Sequence, residues 1–168
     1  MFNVGDIIIY SAHGLCKIDD ICEKTYGDNT RNYYVLHPLE NSKLIINIPV
    51  DSEQVVMQKV VERDEAEDIL QSFQQPGIEW IENAKQRTKQ YNSLVNTGDR
   101  KEIAKVANTL MRKKREANKN KEKMYDHDRV LLTSIQNTMF KELALSLNTT
   151  YGEISTYVKR MISQYEVT

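Results

Sequence analysis

Hydrophobic positions follow two different rhythms along this chain, and the change comes near residue 60. In the first part they occur in short runs cut by turn residues. Ile7-Ile8-Ile9-Tyr10 is an apolar run ending at Ser11-Ala12-His13-Gly14, and Leu15 to Glu23 reads as a mixed strand. Tyr26-Gly27-Asp28-Asn29 holds residues that tolerate positive φ, which marks a turn. Asn32 to Leu36 predicts a third strand, ended by His37-Pro38 because proline cannot donate to a ladder. Asn41-Ser42 then turns the chain into Lys43 to Ile48, which Pro49 stops. Four or five short strands spaced about ten residues apart predict a small barrel or sandwich. That is too little chain to enclose a catalytic cavity, and an SH3-like or Tudor-like β-barrel is the natural size match.

Beyond this point the apolar residues return every three or four positions, the period of a helix. Amphipathic stretches cover 64–74, 78–96, 99–118, 126–147 and 151–164, predicting about five helices. Asp64-x-x-Glu67, Asp99-x-x-Glu102 and Thr150-x-x-Glu153 each have the pattern of a capping box. Pro76-Gly77 and Thr97-Gly98 separate the first three helices. Ile103, Val106, Ala107, Leu110 and Met111 form the inner stripe of the third; Leu131, Leu132, Ile135, Met139, Phe140 and Leu143 form that of the fourth. Ala117 to Lys123 reads as a solvated loop. The expected fold is therefore α+β, with a β-barrel over residues 1–58 and an all-helical domain over 62–168.

No apolar run approaches the roughly 20 residues that cross a bilayer. The start MFNVGD has neither a basic nor an apolar leader region, so a cytoplasmic protein is expected. Cys16 and Cys22 make no disulfide framework and no metal quartet; they read as small apolar side chains.

Charge changes the picture more than composition does. The formal net charge is −1, but it is unevenly spread. Residues 76–125 hold thirteen Lys/Arg against six Asp/Glu, an excess of +7, whereas residues 1–60 hold five against eight. A local basic excess in an otherwise acidic chain points to a polyanionic partner for that block. Lys85, Arg87 and Lys89 lie on one expected helix, Arg112, Lys113, Lys114 and Arg115 close the next, and Lys119, Lys121 and Lys123 follow. Cations at a helix C-terminus are favourable without any partner. Phosphate contact better explains why two successive helices and their loop all share the excess.

Catalytic signatures are missing: there is no phosphate-binding glycine loop, no Cys-x-x-Cys, no His-Glu-x-x-His and no nucleophile elbow. Asp126-His127-Asp128 is read as a solvent-exposed helix start with Asp126 as cap and both carboxylates favoured by the helix dipole, rather than as metal ligands. No enzyme, metal, cofactor or small-molecule substrate is expected. Trp80 falls in the first turn of the expected 78–96 helix, about 100° around from Ile81. A core role and an exposed functional role are equally open to it.

Phe2-x-Val4-Gly5-Asp6-x-Ile8-x-Tyr10-x-x-His13-Gly14 is similar to the opening of the CarD family of bacterial transcription regulators, as are Tyr33-Tyr34-Val35-Leu36 and Ile46-x-Ile48-Pro49. Lys85-Gln86-Arg87-x-Lys89 leading to Thr97-Gly98 resembles the family's basic helix, and Ile103-Ala104-x-Val106, Leu110-x-Arg112-Lys113 and Lys141-Glu142-Leu143-Ala144 extend the match. The resemblance implies a barrel that grips the β-subunit lobe of RNA polymerase through Lys24, Tyr26, Ile46, Asn47 and Ile48. Edge-strand pairing is the implied mode. It further implies that Arg87, Lys89, Arg112, Lys113 and Arg129 meet promoter DNA, mainly at the backbone and minor groove, and stabilise the open complex. Lys85 of the same basic helix and Trp80, one helical turn from the family's tryptophan position, are expected beside them.

The chain departs from the family at three places. Ser11 follows Tyr10 where proline is usual, Asn47 stands where some relatives carry arginine, and Ala84 occupies the tryptophan position, four residues after Trp80. A protein–protein adaptor without DNA contact is the competing expectation. A sequence-specific repressor is less favoured, because no recognition helix stands out.

Overall fold

A computed structural model describes residues 1–10, 13–53 and 57–166. The chain divides into two compact units, Met1–Val60 and Val61–Thr168, each around a core of its own.

The first unit is a five-stranded antiparallel sheet. Its strands are β1 (Ile7–Tyr10), β2 (Gly14–Tyr26), β3 (Asn29–Pro38), β4 (Ile46–Pro49) and β5 (Met57–Lys59), in the order β4-β3-β2-β1-β5. The pairs Ile8↔Cys16, Ile18↔Leu36 and Tyr34↔Ile48 place those six side chains together, and all are buried. Phe2 closes one end, its ring edge-on to Tyr34 at 5.8 Å between centroids. Gly14 and Gly27 take φ of +69° and +62° where the chain reverses before and after β2, a region where a Cβ is disfavoured. Ser11 and Ala12 of the expected first turn, and residues 54–56, lie outside the described residues. β4 and β5 form the two edges of the sheet.

The second unit is helical: α1 (Arg63–Gln71), α2 (Ala84–Asn96), α3 (Arg100–Lys119), α4 (Asp126–Ile135), α5 (Lys141–Ser146) and α6 (Tyr151–Gln164). A 3₁₀ turn, Ser72–Gln74, extends α1. A π turn, Gln136–Phe140, joins α4 to α5, so the expected 126–147 helix is one continuous rod with an extra residue in its middle. That residue resets the inner face, and Leu131, Leu132, Ile135, Met139, Phe140, Leu143 and Ala144 are all buried. With the rod counted once, the helices among the described residues number five, and the α+β architecture is the one the periodicity predicts.

Two expected helix starts hold, and two shift. Asp99 caps α3 by accepting from the Lys101 and Glu102 amides at 3.0 and 3.3 Å, and Thr150 caps α6 by accepting from Glu153 at 3.2 Å. Asp64 does not cap α1; the cap position is Glu62, and Asp64 sits in the first turn, where the helix dipole favours its charge. Asp126 likewise does not cap α4, whose cap position is Tyr125. α3 also runs to Lys119, three residues into the stretch that reads as loop.

The larger correction concerns residues 75–83. The expected 78–96 helix begins only at Ala84, where the Asn83 side chain accepts from the Gln86 amide at 2.9 Å. The segment before it is irregular and lies across α3. Its main chain is held by side chains instead of by a helical ladder, which is how a buried irregular backbone avoids unpaired polar groups. Asn108 donates to the Gln75 carbonyl at 2.7 Å, Thr109 to Ile78 at 2.7 Å and Tyr91 to Glu79 at 2.7 Å. The Ile78 amide bonds Lys105 O at 3.3 Å. At Gly77 the approach is so close that a Cβ would collide with the Thr109 hydroxyl and lie 2.5 Å from Lys105 O.

Candidate functional site

Trp80 projects from this irregular segment, not from a helix, so its placement follows from what the segment touches. Asn83 fixes the start of α2, and the first turns of α2 then bring Arg87 against the ring. The Arg87 Cζ lies 4.1 Å from the Trp80 ring centroid, and Lys113 Nζ of α3 lies 4.7 Å from it. Both distances are within cation–π range. Trp80 itself is half-buried and packs against the helical core, so it is neither a full core residue nor a free one.

Arg87 turns inward. It is 4% exposed, and all three of its guanidinium nitrogens are engaged. Nε and Nη2 donate to the Asp128 carboxylate at 3.0 and 2.7 Å, while Nη1 donates to the carbonyls of Ile81 and Glu82 at 2.8 and 3.3 Å. Asp128 is 3% exposed, which corrects its reading as a solvent-facing helix start. The pair therefore joins α2 to α4 and also fixes the main chain just after Trp80. Tyr125 completes the surroundings, with Arg87 Cζ 5.7 Å from its ring and His127 stacked on it at 5.2 Å.

Arg112 is also committed within the helical unit. Its Nε donates to Asn108 at 2.7 Å, and Nη2 donates to the carbonyl of Phe73 at 2.9 Å. Its remaining nitrogen, Nη1, donates to Tyr165 O at 2.7 Å. All three guanidinium nitrogens of each arginine are thus engaged inside the helical unit. Lys85 and Lys89, a helical turn apart on α2, are exposed. They lie on the side of α2 opposite Arg87 and Tyr91, the two residues it buries. Arg129 is exposed and loosely paired with Asp126 at 3.5 Å; Lys113 is half-exposed, 3.6 Å from Glu116. The structure thus brings Trp80, Arg87 and Lys113 into one cluster and keeps Arg112 apart from it.

In the sheet unit, Asn47 is exposed on the edge strand β4, flanked by half-buried Ile46 and by Ile48, which is 3% exposed and belongs to the core. Lys24 and Tyr26 lie at the far end of β2, where Tyr26 is 55% exposed and stacks edge-on with Tyr33 at 5.5 Å. Leu44 and Ile45, exposed just before β4, were not among the expected contacts.

Tyr125 and Asn108 also escaped the sequence reading, as did the pairing of Asp128 with Arg87. Asn83-x-x-Gln86 was the available signal for the true start of α2. Among the described residues no group of three His, Cys, Asp or Glu side chains is placed to hold a metal ion. No helix among them is long and apolar enough to cross a membrane.

Residues 2–61 match the family model described as the CarD-like/TRCF RID domain, and residues 68–159 match that of the CarD C-terminal domain. The chain is also 31% identical over 130 residues to the protein named "Putative transcription factor YdeB" of Bacillus subtilis (strain 168). That match covers 76% of this chain and 84% of the relative.

Proposed function

This chain belongs to the CarD family of transcription factors, and from that premise we propose that it binds the RNA polymerase β-subunit lobe and steadies promoter DNA at the upstream edge of the open complex. Its function as a transcription regulator follows from the family itself. The observation that carries the finer reading is the edge strand β4. Asn47 is exposed there, and Leu44 and Ile45 stand exposed beside it, in the unit that matches the CarD-like/TRCF RID domain. An edge of this kind offers main-chain donors and acceptors to a partner strand, with the side chains around it selecting the partner.

For DNA, the exposed Lys85, Lys89 and Arg129 and the half-exposed Lys113 supply the phosphate contacts, while Arg87 and Arg112 act by shaping the unit that presents them. Backbone contacts carry little sequence information, so binding to DNA alone is weak and salt-sensitive, and placement comes from polymerase. Ala84 offers only a methyl group for insertion between bases, and Trp80 is held against Arg87 at 4.1 Å. Bubble stabilisation in this chain therefore rests on phosphate contact more than on insertion.

The competing reading is an adaptor that uses the sheet unit and touches no DNA, favoured by the inward commitment of Arg87 and Arg112. Open-complex lifetime on a promoter, measured with full-length protein and polymerase, separates the two. The expected result is a longer lifetime with the wild type that is lost in Lys85→Glu/Lys89→Glu. An unchanged lifetime in that variant, with polymerase binding retained, would leave only the adaptor.

A further inference from the structure

On α3, Arg112, Arg115 and Lys119 fall at i, i+3 and i+7, on one stripe of the helix. The chain returns to that stripe after α6. Glu166 Oε1 accepts from Lys119 Nζ at 2.9 Å and lies 3.1 Å from Arg115 Nε, so two cations converge on a single carboxylate oxygen. One residue earlier, the Tyr165 carbonyl accepts from Arg112 Nη1 at 2.7 Å. Arg112 is anchored through its other nitrogens to Asn108 and Phe73, which leaves it fixed whatever happens to residue 166. The side chains of Arg115 and Lys119 have no other ion-pair partner among the described residues. Glu166 lies beyond residues 68–159, the span that matches the CarD C-terminal domain.

We propose that Arg115 and Lys119 form a binding site for a DNA backbone phosphate, and that Glu166 occupies it in the free protein as a built-in competitor. The inference rests on the reading of the helical unit as a DNA-contacting one. Three observations support it. An anionic oxygen already sits between the two cations at charge-assisted hydrogen-bond distance, the place a phosphate oxygen would take. The three side chains are 35–58% exposed, so the contacts are screened by water and readily exchanged. The hydrogen bond from Lys119, with the charge of Arg115, holds the Glu166 carboxyl below its ordinary range, so it stays ionised and competes across the physiological pH range. In this arrangement Arg112 positions the segment by its main chain, and Glu166 alone carries the competition.

The test is fluorescence anisotropy of a mixed-sequence duplex with the full chain at about 50 mM salt, where phosphate contacts are strong. Glu166→Gln is expected to bind about three- to fivefold tighter than wild type, the worth of one exposed ion pair. Its log K against log salt should be steeper by about one. Asp64→Asn, which removes the same charge from the exposed first turn of α1, controls for net charge and is expected to change affinity by less than about twofold. Arg115→Gln/Lys119→Gln is expected to bind more weakly than wild type and to abolish the gain from Glu166→Gln. If Glu166→Gln and Asp64→Asn behave alike while Lys85→Gln/Lys89→Gln still weakens binding, the competitor is overturned and the DNA reading stands. If no variant changes the binding, both fall together.

Discussion

The guanidinium of Arg87 and the carboxylate of Asp128, 41 residues apart in the chain, meet through Nη2–Oδ2 at 2.7 Å and Nε–Oδ1 at 3.0 Å in a site where each is under 5% exposed. Taking two charges out of water is costly, and their attraction offsets that cost only while both remain. Asp128→Asn leaves a buried guanidinium without its counter-charge. The expected loss is about 3–5 kcal/mol in urea unfolding. Trp80 is the sole tryptophan, so its emission should shift to the red as Arg87 leaves the ring. Arg87→Met/Asp128→Leu should recover most of the stability but not the original emission. A loss below about 1 kcal/mol for Asp128→Asn would mean the pair is not buried as described.

Gly77 tests the irregular segment that carries Trp80. A methyl group there meets the Thr109 hydroxyl and amide and the Lys105 carbonyl, all parts of α3. Gly77→Ala should therefore cost about 1–3 kcal/mol, as overpacking does elsewhere. Gly152→Ala is the control: it lies early in α6, and its nearest neighbour, Thr150 Oγ1, would be 3.9 Å from the new Cβ. The same substitution there should stabilise by about 0.5–1 kcal/mol, because alanine loses less backbone entropy in a helix. Equal effects at the two sites would show that residues 75–83 do not press on α3.

These two sites also show what could be read from the chain. The turn at Tyr26-Gly27-Asp28-Asn29, the Thr97-Gly98 break and the caps at Asp99 and Thr150 are local, each written within four residues, and the structure keeps all of them. The strand closed by Pro49 was legible for the same reason, although it begins at Ile46 and not at Lys43. The surroundings of Trp80 were not. A 3.6-residue rhythm running from Ile78 into α2 mimicked a helix, and the Asn83 cap that ends the resemblance was a weaker signal than the apolar spacing. Asp128 and Glu166 were out of reach altogether, since a contact across 41 or 47 residues leaves no trace in spacing.

Glu142 predicts a pH dependence. It is 3% exposed, accepts from the Val61 amide at 2.9 Å and pairs with Arg100 at 2.7 Å. Burial raises its carboxyl above the ordinary value, and Arg100 and the Val61 amide offset that only in part. The folded state therefore holds this proton more tightly than the unfolded chain does. Its contribution to stability is greatest below the unfolded value and declines as pH rises through the interval up to the folded value. Glu142→Gln removes this titration and keeps an acceptor for Val61. Urea unfolding of both proteins from pH 4 to 7 should show the variant gaining on wild type as pH rises. A wild type that instead gains on the variant would mean that Arg100 outweighs the burial.

The two cysteines test the register of the longest hairpin. Cys16 and Cys22 are an even number of residues apart on β2, so an uninterrupted strand would point both to the core. The irregularity between Ile18 and Asp20 consumes one extra residue of β2 against β3. Cys16 consequently lies opposite Pro38, in step with buried Leu36 and Tyr34, whereas Cys22 lies opposite Tyr33 on the other face. Cys16 is fully buried, and burial pushes its thiol up to about 11, so little thiolate exists at neutral pH. Cys22 is half-buried. A disulfide reagent at neutral pH should therefore titrate one thiol in the folded protein and the second only in denaturant. Cys22→Ser should abolish the fast reaction and Cys16→Ser should leave it intact. Fast modification of Cys16 in the folded chain would place it on the solvent face and remove the bulge from β2.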